Sequence, residues 1–105
     1  MIQQFPEPAK DAIGHALWVA QEGGKHRLAK PLKGFKSAGV LEVVEDFDGD
    51  TFRAVYTVRF KSAVYVLHCF QKKSKKGAAT PRADRNMVIE RLRAAERDER
   101  ERRTT

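Results

Sequence analysis

Nine Lys/Arg against a single Asp/Glu between residues 53 and 85 give that third of the chain a net charge of +8, more than the +7 of the whole protein. Residues 1–52 sum to −2 and residues 86–105 to +1. A cluster of one sign is the footprint of a polyanion binder, since every phosphate neutralised by Lys or Arg releases condensed counterions. Arg53 and Arg59 share one strand parity, Lys72, Lys73, Lys75 and Lys76 fall within five residues, and Tyr56, Tyr65, His68 and Phe70 are interleaved. Such a set suits RNA cleavage. A base removes the proton of a 2′-hydroxyl, the oxygen attacks the neighbouring phosphorus, fixed cations hold the developing charge, and an acid protonates the leaving 5′-oxygen. Arginine fits the phosphorane oxygens through its planar, permanently charged fork. A lysine crowded by other cations gives up its proton more readily.

Plainer readings stand beside the catalytic one. The run Lys72-Lys73-Ser74-Lys75-Lys76 equally suits a solvated loop or a passive phosphate anchor. His68 shares its parity with Val66 and Phe70, which equally suits a core or supporting histidine. No P-loop, nucleophile elbow, His-Glu-x-x-His or dinucleotide fingerprint occurs, and His15, His26 and His68 lack metal-ligand spacing. Asp46, Asp48 and Asp50 alternate as in a calcium loop. However, Gly49 stands at the fourth loop position instead of the sixth, and Thr57 occupies the place of the bidentate Glu. Cys69 is the only cysteine, which excludes an internal disulfide and a cysteine-based zinc site and reads as a buried reduced thiol.

The elements that must hold these residues follow from periodicity. Residues 6–22 form a helix: Ala9, Ile13, Ala16, Leu17 and Ala20 recur at three- and four-residue steps, Pro6 and Pro8 fit the first turn, and Gly23-Gly24 ends it. Residues 25–39 have no sustained period and read as a basic loop that carries Lys33 and Lys36, with at most one helical turn. From residue 40 the period is two, with strands over 40–45, 51–60 and 63–71. Their links, 46–50 and 61–62, are short enough to force antiparallel hairpins. Both parities of the third strand are apolar, which marks a central strand. The second strand leaves one sheet face presenting Arg53 and Arg59 in a shallow groove.

A last helix starts at Thr80-Pro81 with a stripe of Met87 or Val88, Leu92 and Ala95. Residues 96–105 are nearly all charged, extend that helix or fray, and bury nothing. The order gives an α+β class, an antiparallel sheet with N-terminal and C-terminal helices packed on it. At 105 residues the chain supports one core and one domain, residues 1–105. With 41% hydrophobic and 33% charged residues it is globular, and no apolar run reaches the roughly 20 residues that span a bilayer. The N-terminus lacks a basic region followed by an apolar stretch, so the expected location is the cytoplasm, with no membrane partner.

One resemblance covers roughly residues 5–97. Leu32-Lys33-Gly34-Phe35, Gly39-Val40-Leu41-Glu42, Phe52-Arg53-Ala54-Val55-Tyr56, and above all Tyr65-Val66-Leu67-His68-Cys69-Phe70-Gln71-Lys72-Lys73 resemble phage-derived HigB-like toxins of the RelE/ParE superfamily. Ala79-Thr80-Pro81 and Ile89-Glu90-Arg91-Leu92 continue the similarity. The resemblance implies a RelE/ParE-like fold and a ribosome-dependent mRNA endonuclease that needs no metal or cofactor and inhibits translation. It also implies a helix-turn-helix, HigA-like antitoxin through which the pair binds operator DNA. Position by position, Arg53 matches the arginine of the family's strand motif, and Lys72 and Lys73 match the basic pair after the last strand. The expected site is thus Arg53, Lys72, Lys73 and His68 for catalysis, with Arg59, Lys75, Lys76, Lys33, Lys36 and Tyr56 binding RNA. Some RelE-type members carry catalytic lysines where this chain reads Leu41-Glu42-Val43-Val44-Glu45, so its general base must come from elsewhere. Family members usually begin with a β-strand and a first helix, whereas this chain starts almost at Phe5-Pro6, the mark of a truncated start or a minimal branch. Two other readings remain at this level: a ParE-like gyrase inhibitor, and an inactive remnant that only binds antitoxin and nucleic acid.

Overall fold

Ala9, Ile13, Ala16 and Ala20 return to one side of a helix every three or four residues, and in the computed structural model that side is buried along α1 (Glu7–Gln21). Residues 4–35, 39–60, 63–73 and 80–104 are described by the structure. Pro6 occupies the N-cap position without a side-chain cap. At the other end Gly23 takes φ +86°, Gly24 N–H donates to Val19 O and Gly23 N–H to Ala20 O, the Schellman pattern that occupies the last carbonyls.

Four strands follow: β1 (Ala29–Pro31), β2 (Val40–Phe47), β3 (Asp50–Thr57) and β4 (Tyr65–Lys73), antiparallel and in that spatial order. β1 lies in the stretch read as a loop. Three residues including a proline carry no period, and proline is tolerated there because β1 is an edge. The β2–β3 link is shorter than the acidic run suggests: Phe47 pairs with Asp50, leaving Asp48 and Gly49 at φ 53° and 84° as a two-residue turn.

β4 lies at the other edge, not at the centre. Its register against β3 shifts between Val55 and Tyr56: Val55 faces His68 while Tyr56 faces Val66, so Leu67 is the extra residue of a bulge. The shift makes Leu67 and His68 share a sheet face, which is why both parities look apolar. The sheet is covered on both sides. Ile13, Ala16 and Ala20 of α1 pack with Val43, Ala54, Tyr56 and Cys69. Val88, Leu92 and Ala95 of α2 (Arg82–Thr104) pack on Val40, Val55, Leu67 and Phe70 across the other face. No open groove presents Arg53 and Arg59, therefore, because α2 lies over that face. Cys69 is buried beneath α1, and burial pushes its thiol up.

The charged C-terminal run is helical to Thr104, and it does bury something: Tyr65 Oη donates to Asp98 Oδ2 at 2.7 Å and lies 3.3 Å from Glu99 Oε2, with Glu99 itself buried. Hydrogen bonding to Asp98 pushes the Tyr65 phenol up to about 12, and the same bond holds the Asp98 carboxyl below its ordinary value. A raised phenol stabilises the fold below its ordinary value of 10 and loses that contribution as pH rises toward 12. A depressed carboxyl stabilises it above the ordinary 3.8 and loses that contribution as pH falls through the lowered value. Between those limits Tyr65→Phe should raise amide exchange in the last turns of α2 severalfold, and unchanged exchange there would refute the docking role. Burial also raises Tyr56, so both tyrosines of the chain should be less than half ionised at pH 10 by tyrosinate absorbance.

Candidate functional site

The sheet register puts charged side chains of all four strands in one region of the α2-covered face. Lys30 pairs with Glu42, Glu42 with Val55, and Val55 with His68, so one row reads Lys30, Glu42, Val55, His68 across the sheet. The next row toward the β2–β3 turn is Val44, Arg53, Phe70. Arg53 thus stands diagonally between Glu42 and His68. Residues two strands apart are separated by about 10 Å at the backbone, a span that long side chains close.

Glu42 and Arg53 are buried, 6% and 8% exposed, and meet at 3.6 Å between Oε2 and Nη1. Glu42 Oε2 lies beyond hydrogen-bond reach of any described donor, so its contact with Arg53 is Coulombic. Lys30 Nζ stands 3.7 Å from the other carboxylate oxygen and is largely exposed. Two charges in a low-dielectric setting tolerate one another far better than either tolerates isolation. Glu42 is therefore a buried counter-ion of Arg53.

His68 is held from three sides. Its ring stacks on Phe70, 5.2 Å between centroids with planes 20° apart. Nε2 lies 2.7 Å from Asp84 Oδ1, and Nδ1 lies 3.2 Å from Arg91 Nη1, which also donates to Leu67 O at 3.0 Å. Asp84, Val88 and Arg91 follow one another at four and three residues, so a single face of α2 delivers both polar partners around an apolar anchor. Arginine only donates, so Nδ1 accepts; a carboxylate accepts, so the proton sits on Nε2. The two contacts agree on one tautomer of a neutral ring.

The other expected residues are spread out. Arg59 sits past the end of β3, six residues from Arg53 and roughly 20 Å along the strand at about 3.3 Å per residue. There it bonds Glu96 at 2.7 Å and lies over Phe60. Tyr56 belongs to the opposite face, fully buried under α1, with its hydroxyl lacking a described partner. A buried ring on that side offers no stacking surface. Lys33 is exposed in the turn after β1, and its carbonyl accepts from Arg85, whose guanidinium covers Phe35 at 4.9 Å. The backbone of Lys72 and Lys73 closes β4 opposite Thr51 and Asp50, beginning one row beyond Arg53. Lys36, Lys75 and Lys76 lie outside the described residues.

Gly34 tests the Arg85 anchor. It adopts φ +90°, and a Cβ there would stand 2.5 Å from Arg85 Nη2. Gly34→Ala should therefore cost about 1–2 kcal/mol from the left-handed backbone, read as a lower urea midpoint. An unchanged midpoint would show that the turn and Arg85 relax freely.

Three partners escaped the sequence reading: Glu42, Asp84 and Arg91. Glu42 did leave a trace, an acid between Val40 and Val44 at an inward parity of a strand. Asp84 and Arg91 left only a seven-residue spacing. Among the described residues no group of three or more His, Cys, Asp or Glu is placed to hold a metal, and no helix is long and apolar enough to cross a membrane. The model of one protein family, described as phage derived protein Gp49-like (DUF891), matches residues 1–93, a span that includes Arg53, His68, Lys72, Lys73, Asp84 and Arg91. No curated protein and no solved structure matches the chain.

Proposed function

The chain belongs to the phage-derived Gp49-like family, and from that premise we propose that it is the toxin of a type II toxin–antitoxin pair, a HigB-like endoribonuclease that cuts mRNA on the ribosome. The observation that carries this reading is the convergence of Arg53 and His68 on one sheet face, with the register position of Lys72 one row beyond Arg53 and Lys73 next to it. Arg53 supplies a permanent fork for the phosphorane oxygens once a phosphate displaces Glu42 from it. His68 supplies an imidazole nitrogen that can accept the proton of the 2′-hydroxyl. Lys72 and Lys73 supply ammonium groups to the 5′-oxygen and to the RNA backbone, with Lys33, Lys36, Lys75 and Lys76 as further phosphate contacts. The nucleophile is the substrate's own 2′-hydroxyl, so the reaction calls for no cofactor. The strongly basic middle third favours the ribosome's RNA-rich surface by long-range attraction. The partner that silences the toxin is a small helix-turn-helix antitoxin, which also brings it to operator DNA.

Primer extension on transcripts from cells expressing the protein tests the proposal. New 5′ ends inside translated codons, lost when translation is blocked, are the expected result. Growth arrest with intact transcripts, DNA breaks and an SOS response would favour gyrase inhibition instead, and expression without growth arrest would favour an inactive binder.

A further inference from the structure

His68 has both ring nitrogens engaged, and a histidine with no free nitrogen cannot exchange a proton with a substrate. One contact must open, and the geometry indicates which. The Nε2–Asp84 contact is short at 2.7 Å, whereas Arg91 Nη1 reaches Nδ1 only at 3.2 Å and shares its donation with Leu67 O at 3.0 Å. An approaching phosphate repels the Asp84 carboxylate and attracts the Arg91 guanidinium. We infer that Asp84 is the positioning carboxylate that fixes Nε2–H of His68, and that Arg91 is a phosphate-binding residue which masks Nδ1 until RNA draws it away.

This inference rests on the RNA-cutting reading and assigns its base. The unmasked Nδ1 takes the 2′-hydroxyl proton as the 2′-oxygen bonds to phosphorus. The P–O5′ bond breaks with its electron pair on the 5′-oxygen, which takes a proton from the ammonium of Lys72 or Lys73. The products are a 2′,3′-cyclic phosphate and a 5′-hydroxyl, and the imidazolium left behind is paired with Asp84. The charged groups near the ring are Asp84 and Arg91 from α2 and, across the sheet, Glu42 and Arg53. Those last two neutralise each other at rest. Arg91 therefore couples arrival of the polyanion to exposure of the base, and it does so on the helix face that also anchors α2 through Val88.

Two measurements test it. Nitrogen NMR of the His68 ring in the free protein should show a protonated Nε2 and a bare Nδ1; the opposite tautomer would overturn the inference. Cleavage of ribosome-bound mRNA under single-turnover conditions should then separate the roles. Asp84→Asn should lower the rate constant on the order of 100-fold, with little change in half-saturation. Arg91→Gln should mainly raise the half-saturation concentration, and Arg91→Lys should restore part of it by keeping the charge. Thermal melts of each variant check that the fold persists. If Asp84→Asn and Arg91→Gln, both folded, cut like the wild type, the inference is overturned while RNA cutting stands. A wild-type protein that cuts no mRNA overturns both.

Discussion

Glu42→Leu should lower stability by about 3–5 kcal/mol, the usual consequence of leaving one member of a buried ion pair behind. That is a large fraction of the roughly 5–15 kcal/mol that holds a domain together. Arg53 is 8% exposed and would face a leucine where a carboxylate stood 3.6 Å away. Arg53→Leu should also cost stability, near the lower end of that range, because Lys30 still stands 3.7 Å from Glu42. Glu42→Leu combined with Arg53→Leu should recover most of the loss. Apolar side chains of similar volume carry no desolvation penalty, and both positions already adjoin Val44, Val55 and Phe70 in the sheet. Urea unfolding of the two single variants and the double variant measures the coupling directly. Additive losses, with the double variant the least stable of the three, would refute a paired burial.

That coupling could not be anticipated from the sequence, and the reason is physical. Elements with many periods were legible: α1 repeats its apolar side through four buried positions, and β2, β3 and β4 announce themselves by alternation and β-branching. β1 has three residues and a proline, too few for any period, yet it brings Lys30 to Glu42. The bulge at Leu67 is one residue of slip, invisible in a strand whose both parities are apolar, and it decides that His68 shares a face with Arg53. The end of α2 is charged, the mark of a solvated segment, whereas Tyr65 reaches out from the sheet to bond Asp98. Composition marks the middle third of the chain as cationic but says nothing of the counter-ions its residues meet. Glu42 and Asp84 come from segments 11 and 16 residues away from Arg53 and His68, and only register and helix packing bring each pair together.

The folded double variant then isolates chemistry from stability. Glu42→Leu with Arg53→Leu keeps a packed sheet but removes the guanidinium, and mRNA cleavage on the ribosome should fall about 100- to 1000-fold, the loss typical of deleting one fixed donor to a developing oxyanion. Toxicity on induction should fall with it. Arg53→Lys should lie between the double variant and the wild type: the charge remains near Glu42, but a point charge on a flexible stem cannot hold two phosphorane oxygens at once. Reversing the pair, Glu42→Arg with Arg53→Glu, keeps opposite charges in contact and should fold, yet it moves the fork from β3 to β2, one strand farther from His68. If that reversal cuts as well as the wild type, the requirement is for a cation anywhere on the sheet face. If it fails as the leucine pair fails, the requirement is for a guanidinium at position 53, diagonal to both Glu42 and His68 in the sheet.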